Sequence, residues 1–273
     1  ERTLTLTIEP FGGLHREVFT SPVTGRPYTA AGIDFAHRFD TNRAGARASA
    51  ELELADGTDA WGALSWQRVD YVDDFRGVPL VDRWDYGELR ADVDAYYYPP
   101  SSQISAAYAF RRRAYDARYP HDALGNQVLP GTGGYVPQVF DFHDVSIKGG
   151  LEGDGAHALA RFDVERRLDE YGGYLDYWDT SLDLDLRLET GVWTLGAAPS
   201  ISLRVYDVAR VNYDPVEPSS RRTRIDVPFT VERGLDANFS VWVEAGWTDQ
   251  WSSNSLYTWR GISAASGVRF RVR

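Results

Sequence analysis

Residues 181–190 read Ser-Leu-Asp-Leu-Asp-Leu-Arg-Leu-Glu-Thr, and this stretch decides the fold. Leucines occupy every second position from Leu182 to Leu188, and a charged residue stands at each position between them. On a helix these leucines would spread round most of the circumference, whereas on a strand they all lie on one face. The stretch therefore predicts a long amphipathic β-strand.

The same alternation recurs along the chain. It is clear at Arg47–Leu54, Glu88–Tyr97, Ala158–Arg167 and Arg224–Glu232, and weaker at about 28–39, 61–71, 103–115, 138–148, 193–206, 238–249 and 257–272. With 181–190, these segments predict about twelve strands, within a range of 10 to 14, and no helix of useful length.

The connections between these segments alternate between short and long, apart from one short link near Asp40–Ala44. A soluble Greek-key sandwich has no reason to alternate in this way, whereas a transmembrane barrel joins its strands by tight periplasmic turns and longer extracellular loops. We therefore predict an all-β fold, an up-and-down antiparallel transmembrane β-barrel.

Composition excludes several function classes. The 273 residues carry a net charge of −11, which argues against nucleic-acid binding, and they contain no cysteine for disulfides or thiolate chemistry. The chain has no methionine and begins at Glu1, so we expect a cleaved export signal. No run of about 18 apolar residues is present, which excludes a transmembrane helix but not strands of about 9–11 residues.

The two faces of the predicted strands differ in chemistry. The apolar face contains many alanines, where the core of a soluble barrel would need large side chains. We therefore predict that this face contacts lipid and that the charged face lines the lumen, with water or Arg–carboxylate pairs solvating its charges. The predicted lipid-facing residues are Leu89, Val93, Phe162, Val164, Leu182, Leu184, Leu186, Leu188, Ile225, Val227, Phe229 and Val231. The predicted lumen-lining residues are Arg47, Glu51, Glu53, Arg90, Asp92, Asp94, Arg111, Arg113, Arg161, Asp163, Glu165, Arg167, Asp183, Asp185, Arg187, Glu189, Arg224, Asp226 and Glu232.

From about Tyr28 to Arg273 the chain resembles a Gram-negative outer-membrane β-barrel protein of middle size. The alternating strands, the loop rhythm, the processed N-terminus and the final strand Gly261–Arg273 carry this resemblance. Such proteins commonly end in a strand with an aromatic near the last position, and here Phe270 is followed by three more residues. The resemblance implies an outer-membrane location, contact with the lipid bilayer and lipopolysaccharide, and handling by the barrel-insertion machinery.

No catalytic or metal-binding motif stands out in the sequence. The five histidines do not pair at metal-ligand spacing, and no cofactor or metal site is expected. His143 and Ser146 are three residues apart, so on a strand they point to opposite faces and do not form a hydrolase dyad. We therefore expect no enzyme activity.

The predicted organisation is an N-terminal extension at 1–26, acting as a plug, a rim strand or a periplasmic contact, and a barrel at 27–273. The leading functional hypothesis is a narrow passive pore for small solutes or ions. The alternative is a structural barrel closed by salt bridges that binds another envelope protein through residues 1–26 or the loop 116–137. The missing motifs disfavour a barrel-surface hydrolase, and the alanine-rich apolar face disfavours a soluble all-β binding protein.

Overall fold

The computed structural model describes residues 4–16, 29–30, 33–34, 40–71, 84–129, 136–210, 219–236 and 238–270. Apart from one 3-10 helix at Ser255–Tyr257, the regular elements in these ranges are strands. None of the described residues belongs to a helix that is long and apolar enough to cross a membrane.

Three strands come first: β1 (Leu4–His15), β2 (Thr29–Ala30) and β3 (Ile33–Asp34). They are followed by β4 (Thr41–Ala55), β5 (Thr58–Tyr71), β6 (Tyr86–Tyr97), β7 (Ser102–Tyr115), β8 (Val139–Gly153), β9 (Ala156–Asp169), β10 (Tyr177–Thr190), β11 (Trp193–Ala197), β12 (Ser200–Arg210), β13 (Ser219–Gly234), β14 (Phe239–Ser252) and β15 (Trp259–Phe270). Strands β2 and β3 pair with each other, and the other thirteen form one sheet.

Every strand pairing in the sheet is antiparallel, and, apart from β1 with β4, β10 with β12 and β11 with β13, each joins strands that follow one another in the chain. Strands β11 and β12 both pair with β10 and with β13, so they occupy one strand position that is interrupted at Ala198–Pro199. Proline cannot donate to the ladder, which accounts for a break at this point. The thirteen strands thus fill twelve positions, and the prediction of an all-β, up-and-down antiparallel fold with about twelve strands is confirmed.

The connections separate the two ends of the sheet. Those at one end are short, and three of them contain a glycine with positive φ: Gly57 (71°), Gly155 (72°) and Gly191 (58°). Tight hairpin turns need this backbone conformation, which glycine adopts without steric cost. We call this the short-turn end. The strand ends that flank the longer connections 16–40, 72–85, 116–138, 170–176, 211–218 and 253–258 lie at the other end, which we call the long-loop end.

The start of the sheet differs from the sequence prediction. Leu4–His15, assigned to an extension, forms strand β1 and pairs with β4 along its whole length. In the predicted strand 28–39, only the two-residue strands β2 and β3 are described, and neither joins the sheet. The predicted short link near Asp40–Ala44 is wrong, because Thr41–Ala55 is one continuous strand. Pro10 lies within β1, and proline is compatible with a strand at the edge of the sheet order.

The outer face of the sheet, which carries Leu182, Leu184, Leu186 and Leu188, is apolar and exposed. Leu182, Leu186 and Leu188 are 41%, 41% and 47% exposed, and Ile8 at the edge is 80% exposed. Every strand position of the sheet contributes exposed large hydrophobic side chains, whereas the buried hydrophobic core contains only seven of the described residues. Such a large contiguous apolar surface is not found on soluble monomers.

The opposite face, which carries Asp183, Asp185 and Arg187, is concave, and we call it the inner face. Residues Glu9 of β1 and Arg161 of β9 line the same cavity, although six strand-to-strand steps separate their strands. In a flat sheet they would be almost 30 Å apart, at about 4.8 Å a step. The sheet therefore curls round its charged face.

Outward-facing aromatics mark the two edges of the apolar band. Trp178 and Trp251 lie near the long-loop end and Tyr97 and Trp193 near the short-turn end, all between 42% and 51% exposed. From Trp178 to Leu188 is ten residues, or a height of about 25 Å for a strand rising 3.3 Å per residue and tilted by 40°. This matches the apolar band of outer-membrane barrels.

Candidate functional site: the charged inner face

The strand registers place every predicted lumen-lining residue on the inner face. Direct cross-strand partners include Glu51 with Trp61, Trp61 with Asp94, and Arg161 with Asp183. Because neighbouring inward positions are continuous from strand to strand, the nineteen predicted charges share one surface, and the predicted lipid-facing residues share the other. Of the latter, Val164, Leu184, Ile225 and Val227 are half-buried and the rest are exposed.

Towards the long-loop end, inner-face charges are paired. Glu88 is 6% exposed and accepts hydrogen bonds from Arg113 Nη2 at 2.7 Å and from Gln67 Nε2 at 2.9 Å. Glu165 accepts from the Tyr177 hydroxyl at 2.6 Å and from Arg111 at 3.2 Å. Each of these carboxylates thus has an arginine and a second hydrogen-bond donor as partners, as burial of a charge requires.

Aromatic rings pack against the same arginines. The guanidinium of Arg113 lies 4.2 Å from the Tyr86 ring centre, and that of Arg111 lies 4.1 Å from Phe142. The guanidinium of Arg167 lies 4.2 Å from the ring of Tyr177. Stacking of this kind is favourable for guanidinium groups. We call this set the Arg–aromatic cluster: Arg111, Arg113, Arg167, Tyr86, Tyr115, Phe140, Phe142 and Tyr177.

Sequence reasoning missed the aromatic members of this cluster. The available signal was that Tyr115, Phe140, Phe142 and Tyr177 fall at inward positions of their strands, close to the long-loop end. A large ring among charged inward positions indicates local packing in the lumen rather than free water.

The loop Asp116–Leu129 continues the cluster at the long-loop mouth. Arg118 lies 4.9 Å from the Tyr115 ring and 4.6 Å from the Trp84 ring. Asp116 accepts a hydrogen bond from Arg68 Nη1 at 2.8 Å, and this bond lowers the pKa of the Asp116 carboxyl. The loop thus has fixed contacts at its start. Residues 130–135 of the predicted loop 116–137 lie outside the described residues.

The tip of this loop packs against the connection 170–176. The His121 ring stacks on Tyr174 at 6.0 Å, and burial lowers the pKa of the imidazole. Asp122 accepts backbone hydrogen bonds from Leu124 and Asn126, both at 2.9 Å. The two connections therefore form one packed structure over this part of the mouth.

Farther from the long loops, the inner face opens into a cavity of about 860 Å³. Its floor consists of small side chains on β7, Ser105, Ala107 and Ala109, because β7 carries its arginines only nearer the long-loop end. Charged side chains stand on both sides of this floor. The cavity is lined by Glu9, Phe11, Arg47, Trp61, Ser65, Arg90, Asp92, Asp94, Tyr96, Ser146, Lys148 and Arg161, among others. We call it the small-residue cavity.

A second cavity, of about 370 Å³, shares Asp144 and Arg161 with the first and extends to β12. Its charged lining consists of Asp144, Asp163, Glu165, Asp179, Asp183 and Arg161. Asp163, Glu165 and Asp179 pair with Arg161, Arg111 and Arg204. Asp144 and Asp183 form no ion pair with another described residue, so this wall keeps a surplus of negative charge that attracts cations. We call it the acidic cavity.

His143 and Ser146 do not come together as a hydrolase pair. His143 lies on the outer face, where its Nδ1 is 2.8 Å from the Tyr108 hydroxyl, whereas Ser146 lines the small-residue cavity. Within the described ranges, no cluster of three or more acidic, histidine or cysteine side chains has the arrangement of a metal site.

Comparison with known proteins gives structural similarities only. No protein-family model and no curated protein matches this chain. A loop L8 deletion mutant of OmpT, an outer membrane protein of Vibrio cholerae, is 10% identical with a TM-score of 0.46, covering 98% of this chain and 99% of that chain. The β domain of the Bordetella autotransporter BrkA is 13% identical with a TM-score of 0.35, covering 96% and 98%. The translocator domain of the autotransporter NalP from Neisseria meningitidis is 10% identical with a TM-score of 0.34, covering 99% and 88%. These TM-scores are too low to carry an argument about this chain.

Proposed function

We propose that this chain is a β-barrel in the outer membrane of a Gram-negative bacterium and that it forms a narrow, water-filled passive pore for small solutes or ions. The observation that carries the proposal is the contrast between the two faces of one sheet. The outer face exposes leucine, isoleucine and valine on strand after strand, and the inner face exposes charges round two cavities. Lipid outside and water inside is the arrangement that solvates both faces.

The same setting implies that the sheet closes. Strands β1 and β15 are the two ends of the strand order. Each would leave a row of N–H and C=O groups unpaired, and each such group costs several kcal/mol in hydrocarbon. Pairing of β1 with β15 satisfies both edges and completes a barrel of twelve strand positions. Contact with lipopolysaccharide and handling by the barrel-insertion machinery are part of this proposal.

The acidic cavity supports cation preference for this pore. Carboxylates that line a constricted passage raise the local concentration of cations. We expect stepwise currents in planar bilayers and, in a KCl gradient, a reversal potential that indicates cation preference. Asp183→Asn removes one charge from the acidic cavity and should lower that preference. Asp70→Asn makes the same chemical change on the outer face and should leave it unchanged.

A second candidate is the structural barrel, and the Arg–aromatic cluster favours it. That cluster and the loop Asp116–Leu129 fill the long-loop end on the side of β6 to β10. Should they seal the lumen, the protein would bind another envelope protein instead of conducting. Bilayer recording separates the two candidates. A protein that shows heat-modifiable migration, and is therefore folded, but carries no current would overturn the pore and support the structural barrel.

A further inference from the structure

The charges of the small-residue cavity do not all neutralise one another. Arg90 Nε lies 2.7 Å from Asp92, and Arg161 Nη2 lies 2.7 Å from Asp163. These two ion pairs account for half of the cations that line the cavity. Arg47 and Lys148 remain, and neither forms an ion pair within the part of the chain that the structure describes.

The remaining carboxylates of this cavity are also without ion-pair partners. Asp94, Asp144 and Glu9 line it, and none of them forms an ion pair with another described residue. Asp94 accepts a hydrogen bond from the Tyr96 hydroxyl, which leaves its charge without a cation. The cavity therefore offers a solute an ammonium group and carboxylates that are not paired with a described cation.

Lys148 and Asp94 stand on opposite sides of the floor, whereas Asp144 lies on β8, on the same side as Lys148. Lys148 lies on β8, directly opposite Ser105 of β7, and Asp94 lies on β6, directly opposite Ala107 of β7. Their strands are two steps apart, about 10 Å at the backbone. Both side chains extend over a floor of serine and alanine, which leaves space between the two charges for a small molecule.

Lys148 also has a cation as its neighbour. It lies directly opposite Arg161 of β9, whose guanidinium is bound to Asp163. Lys148 and Arg161 together carry two positive charges, and Asp163 neutralises only one of them. An acceptor group on a solute would be attracted to this side of the cavity, and a donor cation to the side of Asp94.

The aromatic lining does not favour a sugar. The one tryptophan that lines the cavity, Trp61, has the guanidinium of Arg47 4.7 Å from its ring centre. That face of the ring is thus occupied and not free to stack on a sugar. The same contact holds Arg47 against the wall, so Lys148 is the cation that remains free to move.

We propose that the small-residue cavity is a binding subsite for small zwitterions, the class of free amino acids and short peptides. Lys148, supported by Arg161, binds the carboxylate of the solute, and Asp94 binds its ammonium group. This inference rests on the proposed pore, since the cavity must be reached through water.

The test uses the purified full chain in planar bilayers. Glycylglycine is the zwitterionic probe, and N-acetylglycinamide is an uncharged probe of similar size. We expect glycylglycine to reduce the KCl current at lower concentration than N-acetylglycinamide. Lys148→Gln should weaken the effect of glycylglycine about ten- to a hundredfold, as loss of one charge-assisted hydrogen bond implies. Lys148→Arg should retain most of it, and Arg233→Gln, a matched change on the outer face beside Trp193, should leave it unchanged.

Chemical modification avoids any folding defect of a variant. Lys148 is the only lysine in the chain, so a membrane-impermeant amine-acylating reagent modifies only this side chain and the terminal amino group. Acylation of the inserted protein, followed by removal of the reagent, should abolish the preference for glycylglycine, and Lys148→Arg should resist this loss.

The outcomes separate the two proposals. Current steps with equal effects of the two probes would overturn the zwitterion subsite and leave the pore standing. If the correctly inserted protein carries no current, the pore is overturned, and the subsite with it. An inserted protein that conducts but whose Lys148 resists acylation would also overturn the subsite, because the cavity would then be closed to water-borne solutes.

Discussion

Replacement of Leu182 by arginine tests the assignment of the outer face to lipid. Leu182 is 41% exposed, and its direct cross-strand neighbours are Phe162 and Ile201. It lies four residues from Trp178, or about 10 Å below the aromatic edge of an apolar band about 25 Å high. The side chain is therefore near the middle of the proposed membrane.

The expected cost follows from this depth. Arginine near the bilayer midplane destabilises a barrel by about 2–4 kcal/mol, whereas a polar substitution at an exposed position in water changes stability by less than about 0.5 kcal/mol. The assay is reversible urea unfolding of the protein in lipid vesicles, followed by tryptophan fluorescence. Ser181→Arg is the matched control, because the adjacent Ser181 lies on the inner face in the acidic cavity. A cost below 1 kcal/mol for Leu182→Arg, similar to that of Ser181→Arg, would refute the membrane assignment.

Three further predictions concern the inner face and its loop. Glu88→Ala leaves the guanidinium of Arg113 buried without its carboxylate and should destabilise the fold by about 3–5 kcal/mol in the same unfolding assay. Arg187→Ala breaks a pair in which both side chains are about half exposed (52% and 54%), and it should cost at most about 1 kcal/mol. Equal costs for the two variants would contradict the burial argument. Because burial lowers the pKa of His121 below its usual 6.5, the neutral ring is favoured in the folded loop, so loop stability is complete above about pH 6.5 and declines as the pH falls further. Hydrogen-exchange protection factors in 116–129, which correct for the intrinsic exchange rate at each pH, should fall below that pH, and pH-independent protection factors would count against it. Gly125 has a φ of 86°, so Gly125→Ala should destabilise the loop by about 1–2 kcal/mol. The loss of stability should appear as faster proteolytic cleavage in the loop. Unchanged cleavage would show that the loop is not held in this conformation.

Prediction from the sequence succeeded where a period of two was uninterrupted. The alternation in 181–190 and 88–97 fixes both the strand and the face of each of its residues, because a shift of one residue would exchange the two faces. It failed at the start of the chain, where Pro10, Gly12 and Gly13 interrupt the alternation begun by Leu4 and Leu6, although the pairing with β4 continues through them. Pairing partners, rather than local preference, determine a strand of that kind.

The candidate site, too, could be predicted from the sequence only in part. The charged face was predictable residue by residue, but the grouping of its charges was not. Which arginine meets which carboxylate depends on register between strands, as in the contact of Arg111 with Glu165 across the intervening strand β8. That Lys148 forms no ion pair with another described residue emerges only after the other pairs have been assigned.

By itself, the sequence determined the strands, the face to which each side chain belongs, and the rhythm of short and long connections, because a two-residue period and turn chemistry are local properties of the chain. Only the tertiary structure decided which rings and guanidinium groups pack together, where small residues on β7 leave a cavity, and how the loop Asp116–Leu129 covers the mouth. These features arise between strands far apart in sequence, and they depend on how a curled sheet brings its inward side chains together.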